Sequence, residues 1–193
     1  MSFKRQRGVT LIELILFMLI VGIALAAIMG VMNVVSRSNA DPVRTKQALM
    51  IAEALLEEVQ LAAFTKCDGS GDNGDGTCTI PEAWGQVAPE PVGPRPYDNI
   101  NDYVPAANTA TAAFNVDVNN ISTLADANGR PLNVTGYTAT VAITPEAIGP
   151  AGLQVGAGGA AADTDMLRIR VTVGFGDQAL ALDGYRARYA PGT

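Results

Sequence analysis

Nineteen consecutive apolar residues, from Leu14 to Met32, form the longest hydrophobic run in the chain. At a rise of about 1.5 Å per residue, a helix of this length spans most of the roughly 30 Å hydrocarbon core of a bilayer. Lys4, Arg5 and Arg7 precede the run, and the positive-inside rule places such charges in the cytoplasm. The pattern predicts a single membrane-spanning helix, with the body of the chain on the far side of the membrane.

The following segment has helical periodicity. Asp41-Pro42 is a helix-start signal, which could begin a new helix or kink a continuous one. Spacings of three and four then predict one buried face, formed by Leu49, Ala52, Leu56, Val59 and Ala63 and widened by Ala48, Ile51, Leu55 and Ala62. The polar residues expected on the opposite side are Lys46, Glu53, Glu57 and Gln60.

A second and weaker apolar line runs along the same segment, through Met50, Ala54 and Leu61. These residues could face neighbouring protein subunits, or they could be the ordinary exposed apolar residues of any protein surface.

Alternation with a period of two predicts strands in the last third of the chain. The apolar positions are Tyr137, Ala139, Val141 and Ile143, then Leu167, Ile169, Val171, Val173 and Phe175, then Leu180 and Leu182, and, after Asp183-Gly184, Tyr185, Ala187 and Tyr189. Gly176-Asp177 fits a two-residue hairpin turn. We expect an antiparallel sheet with one face covering the amphipathic helix, and loops over the Pro-rich residues 89–96 and the Gly- and Ala-rich residues 147–162.

Composition narrows the possible functions. The 193 residues carry a net charge of −6, and without residues 1–8 there remain 10 basic and 19 acidic side chains, a net of −9. Such an acidic body argues against binding to a nucleic-acid backbone. The chain has no histidine and only two cysteines, so the commonest general base and a thiolate zinc site are missing. No nucleophile–base pair is apparent, and we expect neither an enzyme nor a cofactor.

The residues just before the apolar run have a recognisable order. The stretch Arg7-Gly8-Val9-Thr10-Leu11-Ile12-Glu13-Leu14 resembles the class III signal of type IV prepilins and type II secretion pseudopilins. The resemblance implies that a prepilin peptidase cuts between Gly8 and Val9, that the new N-terminus at Val9 is methylated, and that the apolar helix stays in the mature protein. Val9 stands where the family usually has Phe or Met, and Gly22 and Gly30 occur in a helix where many pilins have a proline.

Glu13 is the candidate assembly residue. A carboxylate at the edge of an apolar helix costs a few kcal/mol in lipid unless it finds a partner. In the family that this signal resembles, the matching glutamate neutralises the N-terminal amine of a neighbouring subunit during assembly. The alternative is a glutamate that snorkels to the membrane boundary of a simple anchor.

Further stretches resemble minor pilins of the mannose-sensitive haemagglutinin (MSHA) pilus, of the MshD type: residues 47–59, 64–68, 97–103, 136–141 and 184–191. The resemblance implies a type IV pilin-like α+β fold, in which a long N-terminal helix packs on an antiparallel sheet with long loops. Its segments would be a leader (1–8), a transmembrane and filament-core helix (9–35), an amphipathic helix (36–64) and a periplasmic β-sheet domain (65–193).

The implied role is a subunit that helps to start or cap a pilus. Its implied partners are the prepilin peptidase, other pilin subunits and the assembly platform of the inner membrane. It would wait in the inner membrane and then move to the pilus at the cell surface. The alternatives are a minor pseudopilin of a type II secretion system and a periplasmic binding or adhesion module on an uncleaved anchor.

Cys67 and Cys78 enclose a loop rich in Gly and Asp. Beyond a bacterial inner membrane the compartment is oxidising, so we expect a disulfide, with two free thiols as the alternative. Asp68, Asp72 and Asp75 in or beside this loop are a weak calcium candidate, because calcium prefers carboxylate oxygens. Gly and Asp are also turn-forming residues, and the spacing does not fit an EF-hand.

Overall fold

The computed structural model describes residues 8, 10–38, 42–68, 71–88, 92–150, 153–154 and 164–188. The expectations for Val9, Asp41 and Tyr189, and for most of residues 147–162, lie outside the described residues. The chain divides into two compact units, Met1–Pro42 and Val43–Thr193.

The first unit contains one long helix, α1, which runs from Leu11 to Ser38. Its stretch Leu11–Asn33 is the one helix among the described residues that is long and apolar enough to cross a membrane, with a mean hydropathy of 2.9. None of that stretch is buried within the structure. By length and composition, α1 therefore fits the membrane helix expected from the sequence.

The second unit begins with helix α2, Pro42–Leu61. Its buried residues are Ala48, Ala52, Leu55 and Val59, at the helical spacings of four, three and four. The predicted centre of the buried face was therefore wrong by about one residue, since Leu49 and Leu56 are only half-buried and Ala63 is exposed. Ala48 and Ala52 are fully buried in the core with the sheet, so the buried face follows these two small residues and not the larger Leu49.

A three-stranded antiparallel sheet covers α2. Its strands are β3 (Tyr137–Pro145), β4 (Met166–Phe175) and β5 (Gln178–Ala187), in the spatial order β3-β4-β5. In the central strand β4 every second residue is buried, as the alternation predicts. The core joins the helix to this sheet through Ala139, Val141, Ile143, Leu167, Ile169, Val171, Val173 and Phe175. The predicted hairpin turn at Gly176-Asp177 is confirmed, with Phe175 paired to Gln178 and Gly176 at a φ of +57°.

Strand β5 corrects the sequence analysis. It continues without a break through Asp183 and Gly184, which pair with Arg170 and Ile169 of β4. Because the alternation keeps one phase, Gly184 is buried and Tyr185 is 51 % exposed, opposite to the face predicted for this tyrosine. A Cβ atom at Gly184 would overlap with Nε2 of Gln60. Gln60, which was predicted on the polar side of α2, is therefore half-buried above the sheet.

Two smaller elements complete the second unit. A hairpin of β1 (Asn115–Val118) and β2 (Ile121–Leu124) turns through Asn119 and Asn120, whose φ angles of 53° and 63° suit a two-residue turn. A short 3-10 helix, Ile100–Tyr103, is fully packed into the core. The observed order of two helices followed by antiparallel sheets is an α+β arrangement consistent with a pilin-like fold, as predicted.

Candidate functional site

The signal residues lie at the start of α1. Gly8 and Thr10 are exposed, and the backbone carbonyl of Thr10 accepts hydrogen bonds from the N–H groups of Glu13 (3.1 Å) and Leu14 (3.2 Å). Glu13 therefore stands in the first turn of α1, where the unpaired N–H groups of the helix favour a negative charge. Its side chain is exposed and available to a group outside the unit.

The apolar side chains of α1 are exposed on every side of the helix. Examples spread around the axis are Phe17 (65 % exposed), Met18 (64 %), Leu19 (59 %) and Ile20 (55 %). A helix that is apolar all round is stable only in lipid or among other helices. This surface can therefore serve either as a membrane anchor or as the core of an assembly.

In the second unit, a buried ion pair ties α2 to a loop formed by the end of the Pro-rich segment. Arg95 donates from Nε to Oε1 of Glu58 and from Nη2 to Oε2, each at 2.8 Å. The two side chains are only 5 % and 7 % exposed. Tyr103 donates to Glu58 Oε1 at 3.0 Å, and the Arg95 guanidinium lies 5.0 Å from the ring centroid of Phe114. The arrangement anchors the loop on the helix.

The surroundings of this pair keep the nearby phenols neutral. Burial raises the pKa of Tyr103 well above its ordinary value, and the charge of Glu58 adds to the shift. Burial also raises the pKa of Tyr97, whose ring packs edge-on against that of Tyr103 with centroids 4.8 Å apart. Because both tyrosines stay protonated, Tyr103 remains a donor to the carboxylate. This cluster acts by holding structure, since its polar groups bind one another, apart from Nη1 of Arg95, which is buried without a hydrogen-bond partner.

Sequence analysis missed this cluster, although one signal for it exists. Glu58 lies three residues after Leu55 and four before Ala62, so it belongs at the margin of the buried face of α2. A carboxylate at such a position requires a partner. Nothing in the periodicity identifies Arg95, which is 37 residues away in a segment without regular structure.

The structure brings Cys67 and Cys78 together as a disulfide, with Cα atoms 5.3 Å apart. The enclosed loop folds back on itself by backbone hydrogen bonds, such as Asp68 N–H to the Ile80 carbonyl (3.0 Å) and Thr79 N–H to the Gly71 carbonyl (2.7 Å). This pairing holds together a segment whose described residues form no α-helix or strand.

The aspartates of this loop are used in its turns. Asp72 accepts from the N–H of Gly74 at 2.8 Å, and Asp75 accepts from the N–H and the hydroxyl of Thr77. The hydrogen bonds from Thr77 lower the pKa of Asp75. Within the described parts of the chain, no three acidic or cysteine side chains are close enough to hold a metal ion. The turn-forming interpretation thus accounts for Asp72 and Asp75.

The second apolar line of α2 opens onto a groove. Met50, Ala54 and Leu61 are exposed along one side, and Pro96, Tyr97 and Leu132 line the groove with them. The groove has a volume of about 670 Å³. We call it the α2 groove; its lining also includes four carboxylates, those of Glu57, Asp98 and Asp126 and that of Glu58, which is paired with Arg95.

Comparison with known families gives one match. Residues 3–29 fit the prokaryotic N-terminal methylation motif. No curated protein and no solved structure matches the chain. The motif indicates a type IV pilin-like or pseudopilin-like protein, a structural subunit that is processed by a prepilin peptidase and assembles with other pilins. The apolar helix α1 fits a membrane-anchored protein of this kind.

Proposed function

We propose that this chain is a minor pilin of a type IV, MSHA-like pilus, cleaved between Gly8 and Val9, methylated on Val9, and built into the filament or used to start it. The observation that carries the proposal is the overlap of the methylation motif at residues 3–29 with α1, a helix exposed on all sides. Before assembly, lipid covers the apolar surface of α1. After assembly, the helices of other subunits cover it, so the mechanism is packing and not chemistry.

Topology follows from the same segment. Lys4, Arg5 and Arg7 hold the leader in the cytoplasm, and the second unit folds in the periplasm. Glu13 then pairs with the N-terminal amine of a neighbouring subunit. That pairing removes a charge from the apolar core and fixes the axial register of the incoming helix.

The proposal is tested by the intact mass of the membrane-extracted protein, with and without the prepilin peptidase. The expected product begins at Val9, is heavier by one methyl group, and is absent when the peptidase is absent. A chain that begins at Met1 in both samples would contradict the proposal and favour a periplasmic module on an uncleaved anchor. A minor pseudopilin shares the cleavage, and the genes beside this one would separate it from a pilus subunit.

Replacement of Glu13 tests the assembly step separately. We expect the Glu13→Gln variant to be cleaved normally but to fall at least about tenfold in sheared filaments, a factor that corresponds to about 1.4 kcal/mol of lost pairing. The matched control is Glu53→Gln, which removes an exposed carboxylate of α2. Filament content of Glu13→Gln equal to that of the wild type would show that Glu13 only marks the membrane boundary.

A further inference from the structure

The outward face of α2 has the pattern of a helix–helix seam. Met50, Ala54, Glu57 and Leu61 follow one another at spacings of four, three and four, so they share one side of the helix. All four are exposed, Met50 by 68 % and Leu61 by 77 %. This line is about 16 Å long at the rise of an α-helix, which is three turns. Its length suits a helical partner.

The far side of the α2 groove is held in place by the fold. The backbone beside Tyr97 is bonded to the end of α2, because Ala63 donates to the carbonyl of Asp98 and Ile100 donates to the carbonyl of Ala63, each at 2.9 Å. The buried pair of Arg95 with Glu58 fixes the same loop one turn earlier on the helix. The groove is therefore preformed, which lowers the ordering cost of binding.

The charged residues that line the groove are all acidic. Glu58 is paired with Arg95, which leaves the carboxylates of Glu57, Asp98 and Asp126, and among the described residues no lysine or arginine lines the groove. The carboxylate of Asp126 accepts the backbone N–H groups of Asn128 and Arg130, each at 2.9 Å, which holds it in place. An apolar groove with an acidic margin is complementary to an apolar segment that carries a positive charge.

We propose that the α2 groove receives an amphipathic helix of a different subunit, which places small and apolar side chains on Met50, Ala54 and Leu61 and a lysine or arginine beside Glu57. Among Met50, Ala54, Glu57 and Leu61, a second copy offers a carboxylate and no positive charge, so its same face would bring Glu57 towards a groove that is already acidic, which is unfavourable. The inference rests on the proposed assembly function and adds the kind of partner that one surface selects. The α2 groove thus makes this chain a heterotypic subunit.

The test uses the full-length chain in its own cells, with the photo-cross-linking residue p-benzoylphenylalanine placed at Met50 or Leu61. The matched position is Lys46, which is exposed on α2 one turn before Met50 and does not line the groove. Cross-linked peptides are identified by mass spectrometry. The Glu57→Lys variant is compared with Glu53→Lys, which makes the same charge change at an exposed residue of α2 that does not line the groove. Cleavage at Gly8 is measured in the same samples.

The expected result is a cross-link from Met50 and Leu61 to one helical peptide of another subunit that contains a lysine or arginine. Glu57→Lys should reduce it at least about tenfold, Glu53→Lys should not, and reversing the partner's charge to glutamate should restore it. Three results with cleaved protein would overturn this inference alone: cross-links only to lipid, cross-links only to a second copy, or no cross-link. A cross-link that Glu57→Lys leaves unchanged would also overturn it. Uncleaved protein would instead overturn the proposed function on which it rests.

Discussion

Replacing Arg95 by methionine should lower the free energy of unfolding of the second unit by about 3–5 kcal/mol, the usual cost of removing one partner of a buried ion pair. The reason is the carboxylate of Glu58, which is 7 % exposed and would stay buried without its bidentate partner. Methionine keeps much of the volume of the arginine stem, so the loss reports on charge more than on packing.

The double variant Glu58→Met/Arg95→Met should recover most of that loss. It removes both charges together. The two hydrogen bonds that are also lost are the one from the Tyr103 hydroxyl to Glu58 and the one from Arg95 to the carbonyl of Ala125. Each such hydrogen bond contributes about 1 kcal/mol. The chain supplies a matched control in Arg170, which forms the same bidentate geometry with Asp183 at 2.7 Å on the exposed side of the sheet.

The measurement is urea unfolding of the detergent-extracted chain, followed by the fluorescence of Trp84, which packs against the core and is the single tryptophan. Arg170→Met should shift the midpoint much less than Arg95→Met, because water screens the exposed pair. Equal shifts for the two arginine variants, or a double variant as unstable as the single one, would show that the buried pair does not anchor the loop.

Loss of the disulfide is the second large effect. Cys67 and Cys78 are 11 residues apart, and closing a loop of that size in the unfolded chain corresponds to about 3 kcal/mol of stability by the chain-entropy relation. The Cys67→Ala/Cys78→Ala variant should therefore unfold at a lower urea concentration, even though it leaves the backbone hydrogen bonds of the loop in place.

A reducing agent provides the control. It should move the wild type to the midpoint of the double alanine variant and leave that variant unchanged, because both treatments remove the same cross-link. Two alkylatable thiols in the freshly extracted wild type would contradict the prediction and favour the alternative of free cysteines. The position of Cys67 in the core, 8 % exposed, means that alkylation should be carried out in denaturant.

The sequence predicts those elements whose burial is uniform. Strand β4 is buried on alternate residues along its whole length, so the period of two is unbroken and its hairpin turn follows. Helix α1 has no buried side at all in the described unit, and a run of apolar residues is sufficient to predict it. In both cases a local sequence pattern is enough to predict the element and which of its residues are buried or exposed.

The features that the sequence analysis missed depend on approaches between distant segments. Gly184 is buried in phase with Leu180 and Leu182, and the side chains of Leu56 and Gln60 of α2 lie where its side chain would be. The buried face of α2 likewise depends on which of its residues pack into the core with the sheet. Arg95 and Tyr103 meet Glu58 from a stretch that has no periodicity. The second apolar line of α2 was predicted from the sequence, but the residues on the other side of the groove, Pro96, Tyr97 and Leu132, were not.

Gly184 also bears on the side of α2 that faces away from the sheet. Its missing side chain leaves room for the side chains of Gln60 and Leu56, so a larger residue at this position has to displace them. Met50 and Leu61 belong to the same helix as Gln60, whereas Pro96 and Tyr97 belong to a separate loop. A substitution of Gly184 that shifts α2 would therefore change the width of the α2 groove from the opposite side of the helix.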